Sequence, residues 1–244
     1  MNVFRVLAAA ALALTLCPTG ANSQAMPDRA AVLERELGME VARFVEADRA
    51  APPAPCQVLF VGSSSFVKWK DTLAADMAPI PVINRGFGGS HIAYVNRWFD
   101  DIVAPYKPRS IVFYAGENDI DAGKPVDRVV ADFDEFMARK TQALGNTPVY
   151  FISLKPSKLR FAQLPLQARV NEAIRERAAR RADLHYLDVV AAMLDNGRPK
   201  EIFGPDGLHM NRDGYVIWTR IVHAALDPVV EDQGRVCRRV NGMD

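Results

Sequence analysis

No block of like charge runs through this sequence: 30 Lys and Arg stand against 29 Asp and Glu, spread along 244 residues. Holding nucleic acid by its phosphates takes a concentrated basic face, so the charge pattern offers nothing towards that partner. Long apolar runs are lacking too once the first 25 residues are set aside. Nothing after Ala25 approaches the length of a membrane helix, which excludes stable membrane insertion of that part. Internal repeats and low-complexity tracts are absent, which excludes solenoids and leaves an ordinary globular chain. Histidine is scarce, at four residues, and cysteine scarcer, at three.

The first 25 residues have their own pattern. Arg5 gives a positive start, Val6 to Leu16 is almost wholly apolar, Pro18 and Gly20 break the run, and Ser23-Gln24-Ala25 places small residues where a signal peptidase reads. This predicts a signal peptide over 1–25 and an exported protein, periplasmic or secreted. Cleavage leaves 219 residues (244 minus 25), 29 charges of each sign after the loss of Arg5, and two cysteines, Cys56 and Cys237. In an oxidising compartment these two can pair and pin the tail to the domain, or stay as separate thiols.

Leu33, Leu37, Val41 and Phe44 recur at helical spacing, and three prolines between Pro52 and Pro55 then forbid its continuation. Residues 26–55 therefore read as a packed helix and linker, 56–228 as the main domain and 229–244 as a tail. From Gln57 the pattern alternates. Short apolar runs at Val58–Val61, Pro81–Asn84, Ser110–Tyr114, Val149–Leu154 and, more weakly, Leu184–Val189 read as buried parallel strands. Helical spacing appears over Ile92–Ile102, Val126–Met137, Leu166–Ala178 and Tyr215–Ala225, the last with Asn211 placed to cap it. The expected fold is α/β: a three-layer α/β/α sandwich on a mainly parallel five-stranded sheet.

The unusual polar residues follow the strands, at the rim where such sheets bind ligands. They are Gly62-Ser63-Ser64-Ser65, Asn84-Arg85-Gly86-Phe87-Gly88-Gly89-Ser90, Gly116-Glu117-Asn118-Asp119 and, ahead of the last helix, Asp206-Gly207-Leu208-His209. A serine hydroxyl needs a base to take its proton, and a histidine suits that near neutral pH. The imidazole needs a carboxylate on its other nitrogen, and Asp206 stands three residues from His209. Attack on a carbonyl builds charge on oxygen, which fixed donors must meet: the backbone N–H of Ser64 and of Gly89, and the Asn118 amide.

These four blocks, in this order, resemble the SGNH hydrolases, the GDSL-type esterases and lipases, from Val58 to about Ala225. The resemblance implies a flavodoxin-like sandwich. It also implies a Ser64 nucleophile, an Asp206–His209 pair, an oxyanion hole of Ser64, Gly89 and Asn118, no cofactor, and hydrolysis of carboxylic esters. Small-molecule, lipid and acylated-sugar esters are all within its reach. Ser63 departs from the family, which usually carries Asp there; the change either loosens the turn that aims Ser64 or marks a subgroup with different supporting contacts. The Gly-x-Ser-x-Gly elbow of the α/β-hydrolases is not found.

Phe66, Phe87, His91 and Glu117 flank these blocks and are the candidates for a substrate pocket; Lys155, Lys158 and Arg160 either attract an anionic substrate or form a solvated loop. Besides ester hydrolysis, acyl transfer to an alcohol or sugar, sugar O-deacetylation, thioester or amide cleavage, and non-catalytic carbohydrate binding remain open.

Overall fold

The structure, a computed structural model, describes residues 29–226. The expected signal peptide, the tail and Cys237 lie outside the described residues. Cys56 is disulfide-bonded.

The chain runs α1 (Arg29–Ala50), β1 (Val58–Gly62), α2 (Ser64–Asp76), β2 (Val82–Gly86), α3 (Ile92–Arg97), α4 (Phe99–Ile102), β3 (Ser110–Tyr114), α5 (Glu117–Asp121), α6 (Val126–Leu144), β4 (Val149–Ile152), α7 (Leu164–Ala178) and β5 (Leu184–Leu187). After α8 (Val190–Met193) comes a short antiparallel pair, β6 (Leu194–Asp195) with β7 (Arg198–Pro199), then α9 (Arg212–Leu226). The five long strands form one parallel sheet in the order β2-β1-β3-β4-β5.

The burial pattern follows from that order. β1, β3 and β4 have neighbours on both edges and helices on both faces, and every residue in them is buried. The edge strands β2 and β5 are only partly so. Successive side chains on a strand point to opposite faces, and β3 shows which helices lie where. Tyr114 meets Trp218 of α9 at 4.8 Å between ring centroids, whereas Phe113 meets Phe136 of α6 at 4.5 Å. Phe60 shares the Tyr114 face and meets Phe66 and Trp69 of α2 at 5.4 and 5.9 Å. Thus α2 and α9 cover one face, α6 the other. The outcome is the expected three-layer sandwich.

The short elements α5, α8, β6 and β7 have no counterpart in the sequence reading, and two longer stretches differ from it. α2 was not expected, although Phe66, Trp69 and Leu73 line one buried helical face; its run of three serines hides the period at the start. The helix expected over Ile92–Ile102 is two, parted at Trp98, whose ring packs edge-on against Phe87 at 5.8 Å. α1 is no bystander. Leu37 and Val41 enter the core, Glu40 accepts the N–H of Gly88 at 3.0 Å, and Asp48 accepts from both Arg85 and Tyr106 at 2.5 Å. Among the described residues no helix is long and apolar enough to cross a membrane.

Candidate active site

In a sheet of this order, β1 has β2 on one side and β3 on the other, so the loops after β1 and β3 part in opposite directions and leave a crevice. Ser64 opens α2 directly after β1. The junction is tight because Gly62, at φ +148, lies against β3: a Cβ there would sit 1.9 Å from the carbonyl oxygen of Tyr114. Ser63 is buried and makes no side-chain cap on α2. The turn is instead held by backbone, with Ser63 N–H on Tyr114 O at 2.8 Å and Phe66 N–H on Ser63 O at 3.0 Å. Tyr215 of α9 braces the same turn through its hydroxyl, which donates to Ser65 O at 2.8 Å.

Ser64 Oγ lies 2.8 Å from His209 Nε2, and His209 Nδ1 lies 2.6 Å from Asp206 Oδ2. The other oxygen, Asp206 Oδ1, accepts the N–H groups of Leu208 and His209, both at 2.9 Å. Burial pushes the Asp206 carboxyl up, but the His209 ring and these two N–H groups outweigh it and hold its pKa down to about 2. The carboxylate is therefore charged at any working pH. It holds the ring with Nε2 turned towards the Ser64 hydroxyl. The loop carrying the pair is closed by a bridge between Phe203 and Met210 and by Gly204 N–H on His209 O at 2.8 Å. Beyond it Asn211 caps α9, accepting from Asp213 and Gly214.

The expected oxyanion donors lie at the start of α2 and on the loops after β2 and β3. Ser64 stands first in α2, where an N–H has no helical partner. Gly89 takes φ +72, a conformation that L side chains rarely adopt. Its neighbour Ser90 bonds Gly62 O through Oγ at 3.1 Å and accepts Asn118 Nδ2 on its carbonyl at 3.1 Å. Asp119 is fully buried and accepts Ile92 N–H at 3.2 Å and Lys124 at 2.5 Å. Hydrogen bonds thus link all four sequence blocks: Ser64 to His209, Gly62 to Ser90, and Ser90 to Asn118.

The expected pocket residues mostly fall elsewhere. Phe66 and Phe87 are 0% exposed, so neither lines a pocket; both fill the core, because the first turn of α2 and the Gly86-to-Gly88 turn point them inward. Glu117 is not a rim charge either. It is buried, 3% exposed, and accepts from Tyr114 Oη at 2.6 Å, Lys155 Nζ at 2.5 Å and Ser157 Oγ at 3.0 Å. Burial pushes its pKa up, but the Lys155 charge and these hydrogen bonds hold it below the ordinary value. Burial also lowers Lys155, with Glu117 opposing. His91 alone keeps partial exposure, its ring 5.5 Å from Tyr94 and its pKa lowered by burial against the pull of Asp119.

Neither reading of the three basic residues holds in full. Lys155 is spent on Glu117, Lys158 pairs with Glu201, and Arg160 reaches Asp121 at 2.9 Å and Asn118 Oδ1 at 2.9 Å. The link from Arg160 to Asn118 spans 42 residues. Nothing in the local sequence signals it beyond a cation after β4.

A parallel sandwich of this strand order, with hydroxyl, imidazole and carboxylate in line at its switch point, defines the class: a flavodoxin-like α/β/α domain equipped for hydrolytic chemistry. Residues 50–217 match the GDSL-like Lipase/Acylhydrolase family, and the chain belongs to it. It is an ester hydrolase in that general sense. No curated protein sequence matches it.

Solved structures share the fold at low identity. A Streptococcus pneumonia protein provisionally named a platelet activating factor is 20% identical, with 81% of this chain and 95% of that one covered, at a TM-score of 0.71. A GDSL-like lipase from Bacteroides thetaiotaomicron is 19% identical over 78% of this chain and 98% of that one, at 0.65. A carbohydrate esterase family 3 protein from Talaromyces cellulolyticus is 17% identical over 72% and 99%, at 0.59.

Proposed function

We propose that this protein is a serine esterase that hydrolyses carboxylic esters through an acyl-enzyme on Ser64, acting on small-acyl or lipid esters. The observation that carries the reading is the line from Ser64 Oγ to His209 Nε2, 2.8 Å, and from His209 Nδ1 to Asp206 Oδ2, 2.6 Å.

The chemistry follows from that line. His209 takes the Ser64 proton as Oγ attacks the ester carbonyl, and the imidazolium that forms is stabilised by Asp206. The tetrahedral oxygen takes hydrogen bonds from Ser64 N–H, Gly89 N–H and Asn118 Nδ2. His209 then gives its proton to the departing alcohol, leaving the acyl group on Ser64. Water, deprotonated by the same imidazole, releases the acid and restores the hydroxyl.

The test is a panel of aryl esters from acetyl to long-chain. Acetylated sugars belong beside it, since structural neighbours include an acetyl esterase and a carbohydrate esterase. Ser64→Ala should lose turnover on every ester that wild type cleaves, by at least about 10⁴-fold, with an unchanged melting temperature. Turnover retained in a clean preparation of that variant sinks the assignment.

A further inference from the structure

Asn118 lies between two anchors that agree on which way its amide must face. Ser90 O can only accept, and it takes a hydrogen from Nδ2 at 3.1 Å; Arg160 Nη1 can only donate, and it gives one to Oδ1 at 2.9 Å. Turning the amide over would set oxygen against oxygen at one end and N–H against N–H at the other. The orientation is therefore dictated by chemistry. An Asn nitrogen carries two hydrogens. With one given to Ser90, the second remains for a reacting oxygen.

Arg160 is itself fixed. Its side chain is 11% exposed, its Nη2 donates to Asp121 Oδ2 at 2.9 Å, and its Nη1 stands 3.7 Å from Glu117 Oε1. The other Asp121 oxygen takes Gln163 Nε2 at 2.8 Å, so the turn after β4 is sewn to α5 by two side chains. Glu117 is held from behind by Lys155 and Ser157. Asp121 thus holds the guanidinium through Nη2, and the Nη1 that lies 3.7 Å from Glu117 is the one that donates to the Asn118 carbonyl.

Resting on the serine-esterase reading, we propose that Arg160 is a positioning residue for the oxyanion site. It locks the Asn118 amide with Nδ2 towards the reacting oxygen. Its charge draws electron density through the amide onto Oδ1 and makes the free N–H a stronger donor. The effect grows as charge builds on the substrate oxygen, so it acts on the transition state more than on substrate binding.

The experiment measures kcat, KM and melting temperature on a short-chain 4-nitrophenyl ester for wild type, Ser64→Ala, Arg160→Ala, Arg160→Lys, Asn118→Ala and the double variant Arg160→Ala/Asn118→Ala. Arg160→Ala should lower kcat about 10- to 100-fold with KM within about twofold. Because Arg160 works through Asn118, the double variant should be no slower than Asn118→Ala alone. Arg160→Lys keeps the charge beside Asp121 and Glu117 but lacks the fork; it should recover stability and only part of the rate. Should Arg160→Ala fail to fold, Arg160→Lys carries the same cycle in both backgrounds. Equal fractional losses with and without the Asn118 amide, or a loss confined to KM, overturn the inference and leave the esterase reading standing. A Ser64→Ala enzyme as active as wild type overturns both.

Discussion

Glu117, Asn118 and Asp119 are consecutive, polar and alike in a sequence, yet they have three separate fates. A helical step turns each side chain about 100° from the last. Glu117 is sent back into the Lys155 pair, Asp119 towards α3 and Lys124, and Asn118 to the crevice between Ser90 and Arg160. Asn118 is the one proposed to give an N–H to the reacting oxygen. Replacing it with Ala should cost about 3 kcal/mol at the transition state, roughly a hundredfold in kcat. KM should barely move, since the ground-state carbonyl carries little charge. Steady-state kinetics checks this, and an unchanged kcat removes Asn118 from the oxyanion site.

At the scale of elements, the decisive feature is the junction of β1 with α2. β1 must run flush against β3 to its last residue, and α2 must then start at once so that Ser64 is aimed at the imidazole. Gly62 makes both hold. A methyl group at that position would lie 1.9 Å from Tyr114 O, and φ +148 suits no side chain. Gly62→Ala should therefore destabilise the domain by about 3 kcal/mol, from overpacking and backbone strain together. Urea unfolding measures it; a variant as stable as wild type would show that the two strands separate freely there.

Across the whole molecule, the hydrogen-bonded line of Ser64, His209 and Asp206 draws on both ends of the domain, and a clip joins them. Asp76, at the end of α2, accepts from Trp69 at 2.7 Å, Thr72 at 2.9 Å and both Arg212 amino groups at 2.6 and 2.5 Å. α2 starts at Ser64 and α9 follows His209, so this clip ties the hydroxyl's helix to the imidazole's. The Arg212 hydrogen bonds, with Trp69 and Thr72, outweigh burial and hold the Asp76 pKa down to about 2. Unfolded, the carboxyl titrates near ~3.9, so in acid the unfolded chain binds its proton first and stability falls. Asp76→Asn should lose about 2 kcal/mol at neutral pH. The wild type's margin should be complete above about pH 4 and vanish as pH falls towards 2. Denaturant unfolding at pH 7, 4 and 2.5 checks the trend; a margin that does not change with pH rules out the carboxylate as its source.

The amino-acid sequence alone determined the layered α/β/α class, the five strands and the four polar blocks, with Ser64, Asn118, Asp206 and His209 among them. Those properties are written locally: apolar runs of strand length, helical spacing, and polar residues where strands stop. Tertiary structure decided which neighbours of the blocks face the crevice. Phe66, Phe87 and Glu117 went inward because the α2 turn and the β2 and β3 ends fixed their directions, which adjacency in sequence does not encode. It also decided what the cations after β4 do. A guanidinium finds its carboxylates and its amide through space, and Arg160 meets Asn118 only because β3 and β4 lie side by side in the sheet.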